Sequence, residues 1–191
     1  MEQKPLWLHL YSDLLYISDT LSRQIVVMII MIISHKANRT ILLDLPLKSL
    51  VGIQLPGTEL DDADLHGCDL TGADLRSAHL KHATLEEASL CFADLTGACL
   101  EGAYLCRANL DTAEMTLANL RGADLHQANL YGADLFGADL RCADLEGAWL
   151  GGADLDGAIL TGANLKNAHY DGETRWPDKM NPQANGAVKE K

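Results

Sequence analysis

Basic residues are scarce in this sequence, and scarcest where it is most regular. The chain holds 15 Lys and Arg against 27 Asp and Glu, a formal charge of −12. Residues 58–172 carry 6 of the first kind and 20 of the second, or −14, while residues 1–57 and 173–191 are each +1. A field of that sign repels nucleic acid and attracts basic surfaces, so direct DNA or RNA binding through a basic groove is not expected. Disulfide spacing is also missing. The 5 cysteines are odd in number and form no C-x-x-C, which points to a reducing compartment and a cytoplasmic location. No apolar run reaches bilayer length. The longest, from Ile25 to Ile33, has 9 residues, whereas a spanning helix needs about 20. Asp19 and Arg23 prevent its extension. A signal peptide is disfavoured by a weakly basic start and by the poor cleavage site around His35 and Lys36.

What precedes the regular part reads as a cover for it. Leu6, Trp7, Leu10, Leu14, Leu15 and Ile17 suit one face of a short helix. The Val and Ile content of residues 25–33 favours a strand. Residues 1–52 are therefore expected to form an N-terminal capping segment, with membrane association as the competing reading. Leu45, Leu50 and Leu55 already keep the phase of the repeat that follows, but without its alanine partner. The array is expected to begin near Ile53.

From Leu60 to Leu165 every fifth residue is leucine, apart from Met115, and alanine lies two places before nearly every one. Thr58 and Cys68 are the departures at that place. A period of five fits neither the helix (3.6) nor the strand (2). The phase must be reset within each unit by a turn. Glycine at the last place of many units, Gly67, Gly72, Gly97, Gly122, Gly132, Gly147 and Gly162 among them, supplies the positive φ that tight turns demand. Repetition of this kind marks a solenoid.

Units such as Ala73-Asp74-Leu75, Ala123-Asp124-Leu125 and Ala163-Asn164-Leu165 resemble the A-(D/N)-L-x-x motif of the pentapeptide-repeat family. The resemblance implies an all-β solenoid, a right-handed quadrilateral parallel β-helix with four units to a coil. Leu and Ala would point inward and the other three places outward. The β-helix is expected over residues 53–172, followed at 173–191 by a C-terminal cap and flexible tail. That tail, with Tyr170 in the leucine place and Trp176 nearby, resembles the closing segment of cyanobacterial members. No His, Asp, Glu or Lys takes a central position from Leu60 to Leu165. An interior of methyl groups offers no pocket, no buried acid or base and no cofactor slot, so an enzyme is not expected, and no catalytic, cofactor or metal residues are assigned.

Function must then lie on the outside, where residues 20 apart are expected to stack. One column immediately before the leucines is wholly acidic: Asp74, Asp94, Glu114, Asp134 and Asp154. Two readings compete for it. Asp at this place can bond local backbone N–H groups, or the column can be a ladder of carboxylates for a basic partner. A second column, Asp61, Lys81, Glu101, Arg121, Arg141 and Thr161, suits cross-strand ion pairing. A third, His66, Glu86, Cys106, His126, Glu146 and Lys166, has metal-ligand types, but a straight row does not wrap round an ion. Tyr104, Tyr131, Phe136 and Trp149 read as scattered surface aromatics.

These readings add up to a non-catalytic protein–protein interaction scaffold whose partner is a protein with a basic surface. The first alternative is a DNA mimic: members of the resembled family protect DNA gyrase from inhibitors in this way. The second is a membrane-associated protein acting through the N-terminal segment.

Overall fold

The computed structural model describes residues 49–190. The helical and strand readings of residues 6–33 lie outside the described residues, as does nearly all of the expected cap at 1–52. Among the described residues no helix is long and apolar enough to cross a membrane.

One unit shows how the sequence makes the coil. Leu105 begins a tight turn that Ala108 closes, its N–H donating to the Leu105 carbonyl at 3.0 Å. The third residue of that turn, Arg107, has φ +57°, the left-handed conformation that a type II turn requires. Extended residues on either side then pair with the next coil. Leu105 N–H donates to Asp124 O at 2.7 Å, and Asp124 N–H donates back to Ala103 O at 2.9 Å. The same scheme repeats with the residue immediately before each leucine paired, in parallel, to the residue 20 positions on, from Ser49↔Asp69 to Trp149↔His169. Four units therefore make one coil, and the rod has four flat faces. Face 1 runs through Leu60 to Leu160, face 2 through Leu65 to Leu165, face 3 through Leu70 to Tyr170, and face 4 through Leu55 to Leu155 by way of Met115. Pairing reaches back to Ser49, and Leu50 and Ile53 are already buried, so the coil is regular before residue 53.

The interior is continuous. From Leu75 to Leu155 every central leucine, and Met115, is wholly shielded from solvent, as are the alanines between them to within 1%. Each such leucine contributes about 1.5–3 kcal/mol by leaving water. Alternation of leucine with alanine lets neighbouring layers interlock at the density of a protein core.

The C-terminal end is more ordered than expected. Strand β1 (His169–Tyr170) pairs in parallel with β2 (Val188–Lys189), and a short 3-10 helix, Gln183–Asn185, leads into β2. The flexible tail expected within 173–191 is thus corrected at 188–189: these residues add a rung because the edge of β1 offers unpaired backbone groups. Val188 N–H donates to Ala168 O and Glu190 N–H to Tyr170 O, both at 2.7 Å. Tyr170 is buried in the leucine place and meets Trp176 edge-on, ring centroids 5.5 Å apart. Trp176 and Met180 pack against the last core layer.

The register slips there. Arg175 pairs with Asp154, 21 residues back, and Val188 pairs with His169 at 19. Asp171 holds the first slip in place. Its carboxylate accepts from the N–H groups of Gly152 (3.0 Å), Glu173 (2.9 Å) and Thr174 (3.1 Å), and the Thr174 hydroxyl donates to Leu150 O at 2.9 Å. Those donors, the Gly152 N–H foremost, hold the Asp171 carboxyl below the usual range.

Candidate functional site

All 13 Asp and Asn residues in the place before a central residue of the array do the same local work. Each accepts a hydrogen bond through Oδ1 from the backbone N–H two residues on, at 2.9–3.3 Å. The bond satisfies the first N–H of the following turn, which has no partner in the ladder. Asp at this place is therefore first a turn residue, and any other bond is made around that one.

The acidic column is brought together on face 4, where Asp74, Asp94, Glu114, Asp134 and Asp154 occupy successive paired rungs. Its ends and its middle differ. Asp74 is the buried charged residue of the column, and Arg76 grips it with two bonds, Nε–Oδ1 at 2.9 Å and Nη2–Oδ2 at 2.6 Å. That guanidinium holds the Asp74 carboxyl below the ordinary range, against the opposing push of burial. Arg76 also reaches Asp94 at 3.5 Å. At the other end Arg175 bonds Asp154 and, at 3.0 Å, Asp156. In the middle the Asp134 carboxylate accepts, among the described residues, from the Phe136 N–H alone. The Glu114 side chain does not make the local turn bond, and it has no hydrogen bond or ion pair among the described residues.

Arg76 belongs to the same unit as Asp74, whereas Arg175 comes from beyond the array. A step of 20 from Asp154 arrives at Thr174, and the extra residue in the 171–174 loop puts the arginine there instead. With Arg175 counted, the face 4 units 73–157 carry a net −4, the same as the face 2 units 63–167. The column is continuous in kind, but the face is not uniquely acidic.

The second column pairs as expected only in part. Lys81 Nζ lies 3.5 Å from Glu101, while Arg141 turns to Asp139 within its own unit, Nε–Oδ1 2.8 Å. In the third column Lys166 pairs with Glu146 at 2.8 Å. Burial pushes the Cys106 thiol up, away from thiolate chemistry. Among the described residues no three His, Cys, Asp or Glu side chains are placed to hold an ion.

A shallow groove of about 500 Å³ opens at the corner between faces 2 and 3, beside Trp149 and His169. Those rings stack with centroids 4.2 Å apart, and His169 Nδ1 sits 2.6 Å from Glu190 of the tail.

Five further large apolar residues are exposed, Val51, Phe92, Leu117, Ile159 and Val188, and Phe92 and Leu117 are the most exposed of them. Phe92 and Leu117 occupy the turn place where glycine is usual, with φ +57° and +58°. A bulky residue at a glycine place was the available signal.

The family model for pentapeptide repeats matches this chain in 8 copies, at residues 49–76, 73–111, 98–137, 113–148 and 138–169. No curated protein matches the chain. Among solved structures it is similar to HetL, a pentapeptide repeat protein involved in heterocyst differentiation regulation in the cyanobacterium Nostoc sp. strain PCC 7120. Identity is 39% over 63% of this chain and 60% of that one, with a TM-score of 0.43. It is similar also to Rfr23 of the cyanobacterium Cyanothece 51142, at 30% identity over 68% of this chain and 91% of that one, TM-score 0.25. QnrB1, a plasmid-mediated fluoroquinolone resistance protein, shares 19% identity over 69% of this chain and 77% of that one, TM-score 0.40. This chain spans only 60% of HetL's length.

Proposed function

The chain belongs to the pentapeptide-repeat family, and from that premise we propose that it is a non-catalytic interaction scaffold that presents face 4 to a basic surface of a partner protein. The observation that carries this reading is Glu114. It stands exposed between Asp94 and Asp134, and its side chain makes no hydrogen bond or ion pair among the described residues, which leaves its charge to be met by another molecule. The rungs are about 4.8 Å apart. Three carboxylates at that spacing repel one another, by roughly 1 kcal/mol per pair in water. A cationic partner relieves that repulsion. The clamped ends, Asp74 and Asp154, then belong to the fold and are not contact points.

The array itself supplies the clean test. Asn109, Asn119, Asn129 and Asn164 make the same turn bond as aspartate, so Asp94→Asn and Asp134→Asn remove charge and keep the turn. Combined with Glu114→Gln, they should leave the circular dichroism spectrum and the Tm unchanged. Affinity capture with the wild-type and triple-amide proteins should then recover a set of basic proteins on the first alone, released as salt is raised. Identical captured sets would sink the reading.

A DNA-mimic function draws on a separate observation. The array carries −14 over residues 58–172, or about one net charge per 2 Å of a rod rising 4.8 Å per coil, against one per about 1.7 Å of duplex axis. A gyrase supercoiling assay with and without a quinolone decides it: protection supports mimicry, and neither binding nor protection removes it.

A further inference from the structure

The two most exposed large apolar side chains among the described residues, Phe92 and Leu117, flank the middle of face 4, and Phe136 stands beside them. Phe92 is 66% exposed, Leu117 64% and Phe136 46%. Phe92 takes the corner where the chain enters the face on the Leu95 rung, and Leu117 the corner where it leaves on the Met115 rung. Phe136 follows Leu135 on the next rung. Leu117 leans over Gly137, where an added Cβ would stand 2.8 Å from its Cδ2. Phe136 leans toward Gly157, 4.0 Å from the corresponding point. These glycines leave room for an apolar shelf along one corner, with Phe92 facing it from the other. Between the two run Asp94, Glu114 and Asp134, the stretch of the column without a tight arginine clamp.

We propose that this middle stretch is a docking surface for a basic amphipathic segment of a partner protein. Its Lys or Arg side chains would meet the three carboxylates, and its apolar side chains would rest on Phe92, Leu117 and Phe136. The inference rests on the scaffold reading given above and adds the apolar half of the recognition. Charge complementarity selects the occupant. A second copy would bring the same carboxylates against its own kind. Anionic lipid and nucleic acid are repelled in the same way. A purely apolar partner would strip water from three carboxylates without replacing it. A segment both basic and apolar satisfies the two halves at once.

The test uses the full chain and two synthetic peptides of equal length and net charge. One is an amphipathic Lys/Leu sequence and the other a Lys/Ser sequence. Binding is followed by fluorescence anisotropy, and sedimentation velocity is run on the protein alone. The wild type is expected to bind the Lys/Leu peptide about tenfold more tightly, the equivalent of partial burial of one or two side chains. The variant Phe92→Gly/Leu117→Gly/Phe136→Thr is expected to lose that preference and keep its affinity for the Lys/Ser peptide. Its fold is protected, because Gly72, Gly97 and Thr116 already occupy the equivalent places, and circular dichroism verifies this. The triple-amide variant should weaken both peptides. Equal binding of the two peptides by the wild type would overturn the inference and leave the scaffold reading standing. Binding of neither would overturn both. A wild-type dimer that the apolar variant abolishes would show a second copy to be the occupant, and would also end the proposal.

Discussion

The inward columns and the corner column pass once through every unit of the same rod, yet they obey opposite rules. Inward places from Leu75 to Leu155 hold leucine or methionine, with alanine beside them, and are sealed from water. Corner places all take φ between +52° and +76° from Gly52 to Asn167, but only 13 of the 24 are glycine. The other 11 include Phe92, Thr112 and Leu117, for which the left-handed conformation costs about 1–2 kcal/mol each. The core fixes the coil so firmly that individual corners cannot relax. What the difference teaches is where to look for function: strain that the fold tolerates without needing it is informative, whereas uniform leucine reports only stability.

The strongest way to break this contrast is to attack the interior. Leu105→Ala should cost about 3 kcal/mol, the transfer term plus the cavity left between layers that cannot collapse. Urea unfolding measures it, and a loss below about 1 kcal/mol would mean that the column is not continuously packed. Trp176 extends the comparison to the end of the rod. Trp176→Ala should cost about as much, with hydrogen exchange rising first on the last coil. Trp176→Phe should be nearly neutral. The indole N–H is buried and has no acceptor among the described residues, so phenylalanine keeps the edge contact with Tyr170 and removes an unsatisfied donor.

A smaller effect separates charge from packing. The Asp171 carboxyl is held below its ordinary range, so its contribution is complete above about pH 4, the unfolded value. It is lost as the pH falls through the lower, folded value. Asp171→Asn should therefore lower stability by about 1 kcal/mol at pH 7, with the gap to wild type narrowing by pH 3. A gap that stays constant would show that the loop needs the shape of the side chain and not its charge.

The smallest expected change has the opposite sign. Leu117→Gly should raise stability by about 1 kcal/mol, relief of left-handed strain minus the entropy glycine adds to the unfolded chain. The same variant should lose the preference for an apolar partner. A loss of stability would show Leu117 to be part of the packing after all, and would blur the line drawn between core and corner.

Much of this was legible from residues alone. The period of five marked the leucines, and the four-unit coil that the family resemblance implies put Asp74 to Asp154 on one face in steps of 20. The dual use of those aspartates was weighed from sequence, but only coordinates show that every Asp or Asn in that place makes the turn bond and that Glu114 does not. Arg175 escaped because the loop at 171–174 breaks the count by one residue. The tail escaped because small polar residues such as those at 181–187 have no periodicity, and their order comes from docking on the edge of β1.

The sequence by itself determined a solenoid with leucine and alanine inside, since a period of five suits neither helix nor strand, and its family motif implied the four-unit coil. It also determined the sign of the charge on the surface. The tertiary structure decided how that charge is used. Asp74 is clamped by Arg76 of its own unit, but whether a carboxylate is clamped from afar, as Asp154 is, or open, as Glu114 is, depends on which arginine arrives from a distant part of the chain. That is set by register, and one inserted residue changes register without altering any local pattern.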